Sequence, residues 1–222
     1  GLVRSGLLKR FESSVHAFRE TLRRMAESHE KFLKALERGW IARLRDLDEW
    51  SPGDSDEELD RILAEGESER SDGYDVESLK RDVKADHKVL RELHSRVKDV
   101  EAEADPKLGR LEKELVAIAR QAERDGYGAD DYRDKRKVIL FSYFEDTLDW
   151  IGGFLKKRLR ENPELRVYRG RLASVSGAEG HDGVNRRDAV FGFAPVSSEA
   201  PPDTEDRYDI LLTTDVLAEG MN

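Results

Sequence analysis

Apolar side chains recur at alternating steps of three and four along the start of the chain. The positions are Leu8, Phe11, Val15, Phe18, Leu22, Met25, His29, Phe32 and Leu36, and only His29 is not apolar. Such a stripe gives one face of a long helix a packing surface, so Phe18 and Leu22, in its middle, are expected to be buried against other helices. Gly39 is the expected stop. Pro52 and Gly53 break the chain, and Ser55 followed by Glu58 resembles a capping box for a short helix to about residue 65. The Gly-containing stretch from Glu65 to Gly73 reads as a loop. A further stripe of Val76, Leu79, Val83, Asp86, Leu90, Leu93, Val97 and Val100 predicts a helix from about Asp75 to Ala104. Asp105 and Pro106 suit the cap and first turn of another, with Leu108, Leu111, Leu115 and Ile118 on one face. The short break between these two helices predicts an antiparallel hairpin. Gly126 and Gly128 are expected to end the helical part.

The period changes near residue 135. Val138 to Phe141 reads as a buried strand, Thr147 to Arg160 as a helix and Leu172 to Val175 as a second strand. Val184 to Phe193 reads as a helix, the proline-containing stretch Ala194 to Asp206 as a loop, and Tyr208 to Thr213 as a third strand. Strand, helix, strand, helix, strand is the pattern of a parallel sheet with crossover helices. The expected architecture is therefore α + α/β: a helical hairpin or bundle over residues 1–134, then a parallel α/β domain over residues 135–222.

Composition narrows the chemistry. The chain is 37% hydrophobic and 39% charged, which favours long exposed helices over one thick core. With no cysteine there is no disulfide framework and no thiolate metal site; a reducing, cytoplasmic setting is the expectation. No apolar run is long enough to span a bilayer, and no signal peptide is recognised at the start. A net charge of −9 argues against coating nucleic acid non-specifically, but leaves room for a local basic groove. The five histidines show no metal spacing. The densest basic stretch is Lys156, Lys157, Arg158, Arg160, Arg166, Arg169 and Arg171. It reads either as a phosphate-tracking patch or as a solvated helix end whose cations complement the dipole, with Arg169 and Arg171 the better candidates for phosphate.

Three segments, in order, resemble superfamily-2 helicases, and specifically bacterial Swi/Snf-like translocases. Lys137 to Trp150 looks like motif IV, the strand that opens the second RecA-like motor domain. Val175 to Gly177, followed by Arg187 and by Phe191 to Pro195, resembles the segment between motifs IV and V. Tyr208 to Asn222, with Thr213-Thr214-Asp215 and Glu219-Gly220-Met221-Asn222, resembles motif V and is the most specific of the three. Leu7 to Phe18 looks like the helix that follows the first motor domain in these proteins. The resemblance covers the two ends of the chain and leaves residues 40–134 almost untouched.

The resemblance implies a partial RecA-like domain in an ATP-dependent helicase or translocase. It implies that Ser142, Tyr143, Gly177, Thr213 and Thr214, with Arg169 and Arg171, contact nucleic acid. Asp215, Glu219, Gly220 and Asn222 would couple that contact to the nucleotide. For each residue a plain reading stands beside this one: a polar strand end for Ser142 and Tyr143, a turn glycine for Gly177, threonines closing a strand for Thr213 and Thr214. Duplex DNA is the favoured partner over RNA, together with a first RecA-like domain. The chain has no Gly-x-x-x-x-Gly-Lys-Ser/Thr loop and no Walker B acidic pair, and the resemblance implies that the family's arginine finger would follow motif V, beyond Asn222. The expectation is therefore a fragment with no catalytic residue, which binds neither ATP nor Mg2+ alone while its parent uses both. The rival expectation is a non-enzymatic helical scaffold or coiled-coil interaction module, resting on the apolar stripes.

Overall fold

Ser14 divides the long N-terminal stripe. In the computed structural model, which describes residues 2–48, 56–175 and 184–214, α1 covers Leu2–Ser13 and α2 covers Val15–Glu37. The Ser14 hydroxyl accepts from the Ala17 N–H at 3.0 Å, as a helix cap does, while main-chain bonds still run through the joint. Burial follows only part of the stripe. Leu22 is fully buried, but Phe18 is half-buried and meets Phe11 edge to face, and Leu8 and Phe11 stand in solvent. The expectation that Phe18 is buried is thus corrected. The 3,4 periodicity shows which face is apolar, not whether anything covers it. Gly39, at φ +81°, ends this helical run as expected.

The chain divides into two compact units, Arg19–Asp99 and the combination of Gly1–Phe18 with Val100–Asn222. Within the first, a two-residue strand β1 (Trp40–Ile41) pairs antiparallel with β2 (Glu69–Arg70). The sequence had offered only a loop at β2. Short helices α3 (Leu44–Asp48) and α4 (Asp56–Glu65) enclose a small core in which Ala35, Leu47, Leu59 and Leu63 are buried. Ser55, the cap expected for α4, lies outside the described residues. Helix α5 (Val76–Val97) is capped by Asp75, which accepts from the Ser78 N–H. It stops before the expected end, and a single 3-10 turn (Ala102–Ala104) precedes the next helix.

The other unit holds α6 (Pro106–Asp125), α7 (Gly128–Lys135), β3 (Val138–Phe141), α8 (Glu145–Glu161), β4 (Leu172–Val175), α9 (Arg186–Phe193) and β5 (Ile210–Thr213). Asp105 caps α6 by accepting from the Lys107 N–H at 2.9 Å, and Pro106 takes the first turn where no N–H is needed. The hairpin partner expected for α6 falls in the other unit; within its own, α6 packs against α8. Helix α7 appears where the glycines suggested an end. The three strands are parallel in the order β3-β5-β4, so the last strand is central. Its side chains alternate between layers. Ile210 and Leu212 meet Leu108, Leu115, Leu148 and Leu155 of α6 and α8, while Leu211 meets Ala189 and Phe193 of α9. This is an α/β arrangement with helices on both faces of a small parallel sheet.

Gly192 shows how closely α9 and the last strand approach. Its carbonyl accepts the N–H groups of Arg207 and Tyr208 at 2.7 and 2.9 Å. A Cβ there would lie 2.9 Å from the Tyr208 ring, so only glycine fits without a shift.

Candidate nucleic-acid interface

The parallel register brings the ends of β3 and β5 together. Phe141 lies opposite Thr213, and the Ser142 N–H donates to the Thr213 carbonyl at 3.1 Å. Ser142, Tyr143, Thr213 and Thr214 therefore share the carboxyl edge of the sheet, the edge where open α/β sheets meet ligands. They are not equally available. The Ser142 hydroxyl is buried, donates to the Phe144 carbonyl and accepts from its N–H, which starts α8. Thr213 is buried, with its hydroxyl on the Thr214 carbonyl at 3.1 Å. Tyr143 is 79% exposed and edge-on to Phe144, and Thr214 is half-buried. The accessible chemistry at this edge is a phenol, an aromatic face and a threonine.

Helix α1 adds a cation that sequence reading did not single out. Arg10 pairs with Asp146, in the first turn of α8, at 2.9 Å, and its guanidinium lies 4.2 Å from the centre of the Phe144 ring. Beside it, Ser13 and Ser14 both share hydrogen bonds with the Thr147 hydroxyl, at 2.8 and 2.9 Å. His16 stacks on Trp150 at 5.1 Å, and the Trp150 indole N–H donates to Asp105. No local signal in Leu7 to Phe18 specifies these contacts, because each partner lies more than a hundred residues away except Asp105.

Arg169 and Arg171 lie elsewhere. Both precede β4, so they sit at the amino edge of the sheet, about 13 Å of strand away from Tyr143 and Thr214. The structure does not bring them together with the other proposed contacts. Arg169 donates to the carbonyls of Leu159 and Arg160 in the last turn of α8, the dipole-complementing role that was its plainer reading. Arg171 donates to the Asp206 carbonyl, and its Nε lies 2.8 Å from Asp209. Asp209 also holds Arg136 at 2.6 Å, with both side chains buried. The Tyr168 hydroxyl donates to the Arg136 carbonyl, and burial pushes that phenol above its ordinary pKa. Lys137 pairs with Asp206 at 2.7 Å. These charges form an internal network that ties α7, β3, β4 and the approach to β5. The sequence offers no hint of it beyond ordinary charged residues.

Gly177, Asp215, Glu219, Gly220 and Asn222 lie outside the described residues. Arg187, in the segment between the strands, lies 5.0 Å from the centre of the Phe191 ring one turn along α9. Among the described residues no cluster of His, Asp or Glu has the arrangement of a metal site. Among them, too, no helix is long and apolar enough to cross a membrane. No family model matches the chain, and neither a curated protein nor a solved structure matches it.

Proposed function

We propose that this chain is part of an ATP-dependent DNA helicase or translocase, contributing motif IV-like and motif V-like segments of a RecA-like domain. One observation carries the reading. The two segments that resemble those motifs form neighbouring parallel strands, and their ends meet at the carboxyl edge, with Tyr143 and Thr214 accessible there. A phenol and a threonine hydroxyl are suited to backbone phosphate and sugar, contacts that position a track without reading its sequence. The aromatic ring of Tyr143 can also stack on an exposed base or sugar. Duplex DNA is the favoured partner.

ATP and Mg2+ belong to this proposal only through a further domain. The chain has no Gly-x-x-x-x-Gly-Lys-Ser/Thr phosphate loop. Its own residues would hold the track and transmit movement of the edge, and a first RecA-like domain would supply the nucleotide site. The rival reading, a helical interaction module, draws on the exposed Leu8 and Phe11 of α1. It gives no reason for an accessible tyrosine and threonine at one sheet edge.

Fluorescence anisotropy with a short labelled duplex tests the proposal. Binding is expected to weaken as salt rises. Tyr143→Ala and Thr214→Val are each expected to weaken it further, whereas Arg169→Ala, at the far edge, leaves it near the wild-type level. Equal binding by wild type and Tyr143→Ala, or no binding at low salt, overturns it.

A further inference from the structure

The carboxyl edge of the sheet carries acid as well as hydroxyls. Glu145 and Asp146 occupy the first turn of α8, directly after Tyr143 and Phe144. A phosphate held by Tyr143 and Thr214 is repelled by these carboxylates, in a chain whose overall charge is −9. Binding there needs a cation that can leave its carboxylate. Arg10 has the position for it. Its guanidinium lies 4.2 Å from the centre of the Phe144 ring, and the Tyr143 ring lies 5.4 Å from that same ring. Its bond to Asp146, 2.9 Å long, uses one of the five N–H donors that a guanidinium carries. The Arg10 and Asp146 side chains keep 31% and 17% of their surface, so solvent reaches the pair.

We propose that Arg10 is a phosphate-binding residue of this edge, and that it exchanges Asp146 for a backbone phosphate when nucleic acid arrives. The proposal rests on the translocase reading and deepens it, by naming the cation that the edge uses and the carboxylate that holds it in the free chain. Three features keep the exchange low in cost. A half-exposed ion pair contributes little to stability. Asp146 keeps a favourable field after Arg10 leaves, because a carboxylate in the first turn of a helix faces the positive end of its dipole. Arg10 keeps the Phe144 ring, whose attraction for a cation does not depend on the carboxylate. The backbone beneath need not move. Ser13 and Ser14 share hydrogen bonds with the Thr147 hydroxyl at 2.8 and 2.9 Å, and these hold the end of α1 on the first turn of α8. Only the guanidinium has to turn. Its planar fork fits two phosphate oxygens at once, which the single hydroxyls of Tyr143 and Thr214 cannot do.

Binding of the short labelled duplex, measured from about 50 to about 200 mM salt, is the test. The logarithm of the wild-type association constant should fall linearly with the logarithm of salt concentration. Arg10→Gln should weaken binding and flatten that slope by about 1, the loss of one neutralised phosphate. Arg10→Lys should restore the slope but only part of the affinity, because the charge returns without the fork. Asp146→Asn should bind about 2- to 5-fold tighter, since no carboxylate then competes for the guanidinium. Most of that gain should vanish when Arg10→Gln is also present. Circular dichroism should be the same for wild type and variants. A wild-type slope in Arg10→Gln, with binding that still needs Tyr143, overturns the role of Arg10 and leaves the translocase reading standing. An equal gain from Asp146→Asn with and without Arg10 overturns the exchange, because Asp146 then only repels the track. Should Arg10→Gln fail to fold, Asp146→Asn decides alone, and an affinity no higher than wild type overturns the exchange. No duplex binding by the wild-type chain at low salt overturns both this proposal and the reading beneath it.

Discussion

Asp209 is fully buried and holds two arginines, Arg136 at 2.6 Å and Arg171 at 2.8 Å. Replacing the carboxylate by an amide leaves buried positive charge without its counter-ion, and breaking such a pair costs about 3–5 kcal/mol. Asp209→Asn should therefore lower the stability read from urea unfolding by that order. A loss under about 1 kcal/mol would mean that water reaches the guanidinium groups. Glu112 is a second residue whose state depends on its neighbours. Desolvation acts to raise its pKa. Hydrogen bonds from Arg158 and Asn162, at 2.7–3.0 Å, and the guanidinium charge outweigh that and hold the carboxyl below the usual range. A carboxyl depressed by folding stabilises above its unfolded pKa of about 4.3 and loses that contribution as pH falls through its folded value. Glu112→Gln should therefore be less stable than wild type at neutral pH. The gap should close as pH falls below about 4. Paired urea midpoints at neutral and acid pH check this, and a gap that does not depend on pH would show that packing, not charge, is lost.

Helix α2 shows how an apolar stripe splits into covered and uncovered positions. Leu22 has no exposure, while Phe18, one turn earlier, is half-buried. Leu22→Ala should cost about 2–5 kcal/mol, the range for emptying a filled core site. Phe18→Ala should cost less despite the larger side chain, because part of the ring is already in water. Thermal unfolding of the two variants gives the order, and a larger loss at Phe18 would show that its exposed part is covered in solution. The sheet follows the same logic. Central β5 is buried along its whole length, whereas edge strand β3 alternates between half-buried and exposed. The difference comes from position in the sheet, not composition, since both strands are short apolar runs.

At the scale of the whole molecule, a helical unit of residues 19–99 interrupts the sequence of the unit that carries the sheet. Phosphoryl transfer needs a phosphate cradle, a metal ligand and a charge-stabilising arginine together. The sequence contains no phosphate loop, so the purified chain should release no phosphate from ATP above the buffer rate, with or without DNA. Steady release that survives repurification and tracks the protein peak would remove the basis for assigning the nucleotide to another domain. With an overall charge of −9, any salt-sensitive binding proposed for this chain has to come from a local field, and at the carboxyl edge Arg10 lies 4.2 Å from the centre of the Phe144 ring.

The elements that could be read from sequence are those set by neighbours along the chain. The strands at 138–141 and 172–175 announced themselves by short apolar runs. Asp105 did so as a cap whose bond reaches only two residues ahead, and the helix start near Asp75 by its apolar stripe. Parallel pairing of the three strands also followed from their alternation with helices. Helix α7 was missed because its flanking glycines outweighed a short polar helix with little periodicity, and the break at Ser14 because the apolar spacing runs straight through it. The candidate site was half legible. Segments near Tyr143 and Thr214 could be singled out, but their accessibility could not, and Arg10 gave no sign of joining them. Arg169 and Arg171 looked like companions of that edge because they are basic and close in sequence to a strand. Which end of a strand a residue meets, and whether its charge is spent on a helix end or a buried aspartate, depends on chain segments tens of residues away. Local periodicity determines which faces are apolar; only the packed structure decides what covers them, which polar groups remain for a partner and which edge of the sheet stays open.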